Sequence, residues 1–269
     1  MESNNNIHLT GEKETLFITL YAKAMDNRSK RSILHDQAAD DLVQKVRNNL
    51  SKYRGFGNSV VVVRARQFDE WINEFITRYE NAVVVYLGCG LDTRIVRINP
   101  PSSVDWFDID YPEVIELRKT FYTEREGYRM IGSSILETSW LNKIPNVRPT
   151  LIIAEGVFEY LGQDEVKTLL TRITGHFTRG QVLFDVMNSF AIKSGRQKLH
   201  DTTGAVHKWE VNDITEVDKL NPRLKRITEL SVLKSPYTKK LGFRLRLFLR
   251  SFSVFPQFRN MLRLLKYNF

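Results

Sequence analysis

Residues able to do chemistry gather in one stretch of this chain. Gly88-Cys89-Gly90 breaks an apolar run, Asp92 follows it, and a second apolar run ends in Asp108 and Asp110. Glycine takes positive φ and lets a ligand approach the backbone, so the loop is a candidate cofactor cradle. An acid roughly 20 positions beyond such a loop is placed to accept hydrogen bonds from a ribose diol. Two cofactor classes share that arrangement, dinucleotides and S-adenosylmethionine. The dinucleotide fingerprint needs a small residue three places after its second glycine, where this chain has Thr93. Asp92 would repel a pyrophosphate but attract the ammonium of a methionyl tail. The residues therefore favour S-adenosylmethionine and leave a nicotinamide-dependent oxidoreductase as an alternative.

These groups need a sheet edge to hold them. Residues 82–87 form a short continuous apolar run of mostly β-branched side chains, the pattern of a strand buried on both faces of a parallel sheet. Further strands are predicted at 104–109, 128–131, 150–154, 181–186 and 226–232, with 264–269 closing the sheet as an edge strand. Helices are predicted at 12–25, at 32–50 with Ile33, Leu42, Val43, Val46 and Leu50 inward, and at 59–76 with Val63, Phe68, Trp71, Ile72, Phe75 and Ile76 inward. A short helix at 92–98 follows the glycine loop. Pro112 starts another helix, and Gln163-Asp164-Glu165 a further one whose buried stripe is Val166, Leu169, Leu170 and Ile173. Strand and helix alternate, which is the order of an α/β domain.

At 269 residues with 42% hydrophobic content, the chain suits one elaborated domain better than two. Its single cysteine, Cys89, excludes an internal disulfide and reads as a small residue between two glycines. No stretch approaches the roughly 18 apolar residues of a membrane span, and residues 1 to about 10 are polar, Asn-rich and expected to be disordered, unlike a secretion signal. A cytoplasmic location is the expectation. His200 and His207 lie in a polar segment without the acids or cysteines of a metal site, so they read as solvent-exposed loop histidines and no metal site is expected.

The charge of +9 is uneven. Residues 219–269 carry 13 Lys and Arg against one acid, Glu229, giving +12; the remainder carries 27 basic and 30 acidic residues, giving −3. Such asymmetry suits an acidic substrate, anionic lipid or nucleic acid.

Three ordered motifs identify a family resemblance. Leu87-Gly88-Cys89-Gly90-Leu91-Asp92-Thr93-Arg94, Trp106-Phe107-Asp108-Ile109-Asp110-Tyr111-Pro112 and Ala154-Glu155-Gly156-Val157-Phe158-Glu159-Tyr160-Leu161 resemble the leucine carboxyl methyltransferase family. The bacterial branch of polyketide-synthesis O-methyltransferases is the closer likeness. The similarity extends through Tyr21-Ala22-Lys23-Ala24, Asp36-Gln37-Ala38-Ala39, Arg64-Ala65-Arg66-Gln67-Phe68-Asp69 and the terminal Arg263-Leu264-Leu265-Lys266-Tyr267-Asn268-Phe269.

The resemblance implies a doubly wound, mostly parallel, seven-stranded Rossmann-like methyltransferase sheet within a single domain. Residues 1–58 would be a helical cap, 59–235 the cofactor-binding core, and 236–269 a basic lid with the closing strand. It implies an S-adenosylmethionine-dependent O-methyltransferase acting on a carboxylate or hydroxyl of a small molecule or peptide. Gly88, Cys89, Gly90 and Asp92 would face the methionyl end, Asp110 the ribose, and Arg64, rather than Arg66, the cofactor carboxylate. Glu155 would sit at the cofactor's amino end or in the site wall, with Tyr160 bordering the methyl group. Where the family carries an Asp beside the adenine, this chain has Ser133-Ser134-Ile135, leaving Ser134 to hydrogen-bond an amino group and Ile135 to stack on the ring. Asp108 would be structural or a secondary ligand.

The tail at 241–250 alternates like a strand yet also sets Leu241, Leu245, Phe248 and Phe252 on one helical face. A basic lid over an anionic acceptor is the preferred expectation, and a membrane-surface segment its rival. A nucleic-acid- or membrane-binding protein with a vestigial cofactor site is the remaining alternative, although no recognisable nucleic-acid motif is present and DNA is not an expected partner.

Overall fold

The computed structural model describes residues 9–46, 50–55 and 57–269. The disorder expected at the start of the sequence falls almost entirely outside them. Seven strands form one sheet: β1 Val83–Leu87, β2 Asp105–Asp110, β3 Tyr128–Gly132, β4 Thr150–Ala154, β5 Gly180–Met187, β6 Lys225–Ser231 and β7 Leu262–Asn268. Their order is β3-β2-β1-β4-β5-β7-β6. The first five run parallel, and β7 is antiparallel to both its neighbours. The sheet is therefore doubly wound and mostly parallel, as expected. The order reverses between β1 and β4, where open α/β sheets bind ligands beyond the strands' carboxyl ends.

One expectation is corrected. Residues 264–269 do not close the sheet at its edge; β7 lies between β5 and β6, and β6 is the edge strand. Burial explains the difference, because Leu264, Leu265 and Tyr267 are fully buried, whereas most of β6 is exposed.

Ten α-helices are found among the described residues, besides six short 3-10 turns: α1 Leu16–Asn27, α2 Gln37–Lys45, α3 Asn58–Arg78, α4 Arg94–Ile98, α5 Pro112–Lys119, α6 Gln163–His176, α7 Ser189–Thr203, α8 Ile214–Asp218, α9 Phe243–Phe252 and α10 Pro256–Arg259. The alternation of β1 splits its side chains between two cores. Val84 and Tyr86 face α1 and α3, while Val83, Val85 and Leu87 face the layer that contains α6.

The helix expected over 32–50 is shorter, and its residues 47–49 lie outside the described chain. Before Gln37 the Asp26 carboxylate accepts from the Ile33 and Leu34 amides and from Ser32 Oγ, giving the backbone a local alternative to helix. Asp36 then caps α2 by accepting from the Ala39 amide at 3.1 Å.

The polar segment after β5 holds a helix where a loop was expected. Asn188 caps α7 through the Ala191 amide at 2.9 Å, and Gly204 ends it at φ +74°. Only Ile192, Leu199 and Thr203 of α7 are buried, which is why its apolar periodicity is faint. His200 is exposed on this helix, but His207 beyond it is half-buried, its ring 5.3 Å from that of Tyr160. The expectation of a solvent-exposed loop histidine is therefore corrected for His207, and His200 is on a helix. The tail is helical as α9, with no buried residue.

Candidate active site

Gly88 and Gly90 take φ of +64° and +50°, folding the chain back under the end of β1. Space as well as φ demands glycine at these positions. A Cβ on Gly88 would lie 2.5 Å from Val157 Cγ2, and one on Gly90 would lie 3.0 Å from Leu16 Cβ. The amides of Gly88 and Cys89 donate to the Ile109 carbonyl, while the Gly90 amide donates to the Asp110 carboxylate at 2.7 Å. The loop is thereby tied to the end of β2. Burial pushes the Cys89 thiol well above its ordinary pKa, so it is a small neutral group in the loop.

A cavity of about 350 Å³ opens over this loop. All ten site residues expected from the sequence line it: Arg64, Gly88, Cys89, Gly90, Asp92, Asp110, Ser134, Ile135, Glu155 and Tyr160. No residue of 236–269 does, so the basic C-terminal segment does not form the expected cover over this cavity. The N-terminal strap does so instead, through Glu12, Lys13, Thr15 and Leu16, with Lys208 at the mouth. The Gly11 amide pins the strap to the Thr203 carbonyl at 2.7 Å, joining it to the end of α7.

Beneath the cavity lies a buried ionic network. Arg64 Nε donates to Glu155 at 3.0 Å and Nη1 to Asp185 at 2.8 Å, while Nη2 lies beside Gly156. Arg94, wholly buried, donates to Asp69 at 2.8 Å and to Glu155 at 2.5 Å, and its Nη1 stands 3.2 Å from Asp92. Lys23 pairs with Asp92 at 2.8 Å, and Arg97 reaches both Asp36 and Asp69 at 2.6 Å. Burial alone would neutralise these acids. Lys23, Arg94 and Arg97 nevertheless hold Asp92 well below the usual carboxylate range, and Arg94 and Arg64 lower Glu155.

Four cations, Lys23, Arg64, Arg94 and Arg97, thus face five carboxylates, Asp36, Asp69, Asp92, Glu155 and Asp185. Glu159 is buried nearby with Oε2 unpartnered, and burial followed by the charge of Asp185 pushes its carboxyl up to about 8. It is therefore neutral near pH 7, and burial also raises Asp185 above the ordinary carboxylate range, against the pull of Arg64. S-adenosylmethionine carries an ammonium, a carboxylate and a sulfonium, and the ionised Asp92 and Glu155 in the cavity wall suit its cationic groups.

Asp108 is not among the residues that line the cavity. It accepts from the buried Arg118 and from Trp106 Nε1. Arg66 also stays outside, stacked over Tyr237 and paired with Glu70 at 3.7 Å. Sequence reasoning assigned no role to Lys23, Asp36, Asp69, Arg94, Glu159 or Asp185. The first five stand inside the matching motifs quoted above, which was a usable signal; Asp185, within an apolar strand, had none.

The leucine carboxyl methyltransferase family model matches residues 14–174. The tetracenomycin polyketide synthesis O-methyltransferase of Streptomyces glaucescens is 37% identical over 273 residues, covering 98% of both chains. An S-adenosyl-L-methionine-dependent methyltransferase of Gibberella zeae is 34% identical over 251 residues and 84% of both. A putative methyltransferase from Thermobifida fusca, 10% identical, shares the fold with a TM-score of 0.60 over 91% of this chain and 93% of its own. The nicotinamide and vestigial-site alternatives are not favoured by these likenesses. The chain belongs to the leucine carboxyl methyltransferase family and is an S-adenosylmethionine-dependent O-methyltransferase.

Proposed function

We propose that this enzyme methylates a carboxylate on a small molecule or peptide, with Lys208 meeting the acceptor's charge. The observation that carries the reading is an imbalance in pairing. Of the cations lining the cavity, Lys13 pairs with Glu113, Lys23 with Asp92, and Arg64 with Glu155 and Asp185. Lys208 lines the mouth with no ion-pair partner among the described residues.

S-adenosylmethionine supplies an electrophilic methyl group on a sulfonium. In this assignment Asp92, the glycine loop and Glu155 hold the methionyl end, Arg64 the cofactor carboxylate, Asp110 the ribose, and Ser134 with Ile135 the adenine. Tyr160, Leu16 and Val157 wall the cavity against water, so the protein's work is alignment and desolvation. A carboxylate is ionised near neutral pH; its oxygen bonds the methyl carbon as the carbon–sulfur bond breaks, and no proton needs removal. The protonated Glu159 and the committed Asp92 and Glu155 are consistent with a site that works without a general base.

A hydroxyl acceptor would need a base. The imidazole nearest to such a role is His207, which stands outside the cavity lining but packs against Tyr160 of its wall, and burial, followed by Arg196, lowers its pKa, keeping it neutral near pH 7.

Labelled methyl transfer to a panel of aromatic carboxylic acids and phenols tests the proposal. The expected product releases methanol in mild base, as a methyl ester does. Lys208→Ala should raise KM for such an acceptor about fivefold with kcat little changed, the worth of one partly exposed charge contact. A base-stable product formed from phenols alone would overturn it.

A further inference from the structure

The basic tail is hydrogen-bonded to the body of the protein at both ends and yet buries almost nothing between them. On the incoming side, Ser235 Oγ donates to Gln67 at 3.0 Å and Tyr237 Oη to Glu70 at 2.8 Å. On the outgoing side, the Arg259 carbonyl accepts from Ser231 Oγ and the Gln257 carbonyl accepts from Asn188 Nδ2 at 2.8 Å. Between these anchors Phe243, Leu247 and Phe248 of α9 are 64%, 54% and 50% exposed, and Val254 and Phe255 are 67% and 61% exposed. Soluble surfaces rarely gather large apolar side chains so densely.

The charge around them has one sign. No acid occurs from residue 230 to 269. Lys239, Lys240, Arg244, Arg246, Arg250 and Arg259 have no carboxylate partner among the described residues, whereas Arg263 and Lys266, rooted in β7, pair with Glu229 and Glu74. Exposed aromatic and aliphatic side chains interleaved with unpaired cations match a surface where hydrocarbon lies beneath anionic headgroups. Two copies meeting through this face would set like charges against one another, which disfavours a symmetric self-interface here.

We propose that residues 243–255 are an interfacial segment that docks the enzyme on an anionic lipid surface, the exposed apolar residues entering the headgroup boundary and the arginines meeting the phosphates. Docking is independent of the acceptor, because none of these residues lines the cavity.

Flotation of the full chain with vesicles tests this. Wild type should float with phosphatidylcholine vesicles containing about a third phosphatidylserine, lose that association as salt rises, and stay behind with phosphatidylcholine alone. Arg244→Glu/Arg246→Glu/Arg250→Glu and, separately, Phe248→Ser/Phe255→Ser should each lower the bound fraction at least about tenfold, with S-adenosylhomocysteine binding unchanged as the measure of folding. Failure to float with anionic vesicles at low salt overturns the proposal, as does equal flotation of both variants. Salt-sensitive binding to DNA or an acidic protein without vesicle binding, or a dimer that either variant converts to monomer, assigns the patch elsewhere and also overturns it.

Discussion

Asp110 connects the geometry of the glycine loop to a titration that can be read directly. Its oxygens accept from the Gly90 amide at 2.7 Å and the Tyr111 amide at 2.8 Å, and the residue lines the cavity. Burial, opposed by these two amides, pushes the carboxyl up to about 6. A ribose diol donates to the ionised form, so cofactor binding must weaken as pH falls through that value. The ionised fraction drops from about 0.9 near pH 7 to about 0.1 near pH 5, which predicts roughly tenfold weaker binding of S-adenosylhomocysteine by calorimetry. Because the ligand favours the ionised form, binding should also release protons in this window, visible as a buffer-dependent heat. Asp110→Ala removes two charge-assisted acceptors, costing about 3 kcal/mol or more than a hundredfold in affinity, and should flatten the pH profile. A wild-type affinity constant between pH 5 and 7, or an Asp110→Ala variant within about twofold of it, refutes the assignment of Asp110 to the ribose.

Gly88→Ala should destabilise the protein by about 2 kcal/mol in urea unfolding, since it adds a clash with Val157 to an unfavourable φ; adding Val157→Ala should recover the clash and leave the φ cost. Arg94→Leu leaves Asp69 and Glu155 short of a buried partner and should cost about 3–5 kcal/mol, whereas a loss below about 1 kcal/mol would show the network to be more hydrated than its burial indicates. Glu159 has its folded pKa raised, so its contribution to stability is fully present below the unfolded value near 4.5 and is lost as pH rises toward about 8. Glu159→Gln should therefore gain melting temperature relative to wild type as pH rises from 5 to 8; parallel profiles would contradict the buried protonated acid.

The strands around the site were legible because each carries its own signal. Val83–Leu87 and Thr150–Ala154 are almost wholly apolar and buried at every position, as strands covered on both faces are, and the glycine and acid positions follow from what a cofactor loop requires. The position of β7 was not legible. An apolar strand reads alike as an edge or an interior member, and only the exposure of β6 shows which of the two lies outside. Helix α7 escaped because its burial rests on a few widely spaced residues. The ionic network was half visible: Asp92 and Glu155 stand in motifs, but nothing local in the sequence says that Arg94 spans from Asp69 to Glu155 or that Asp185 supports Arg64. These pairings join residues up to 121 positions apart, and tertiary folding alone creates them.

The placement of β7 has a consequence for synthesis. Until residues 262–268 leave the ribosome, β5 presents an open strand edge and β6 has no sheet neighbour among the described residues. Asp185, the β5 acid that anchors Arg64, lies opposite Leu264 on that missing partner. The strand that carries the Arg64 anchor is thus covered by the last made of the seven, and a nascent chain stalled before Leu262 would leave the β5 edge open and β6 unpaired beside its neighbours on a polysome.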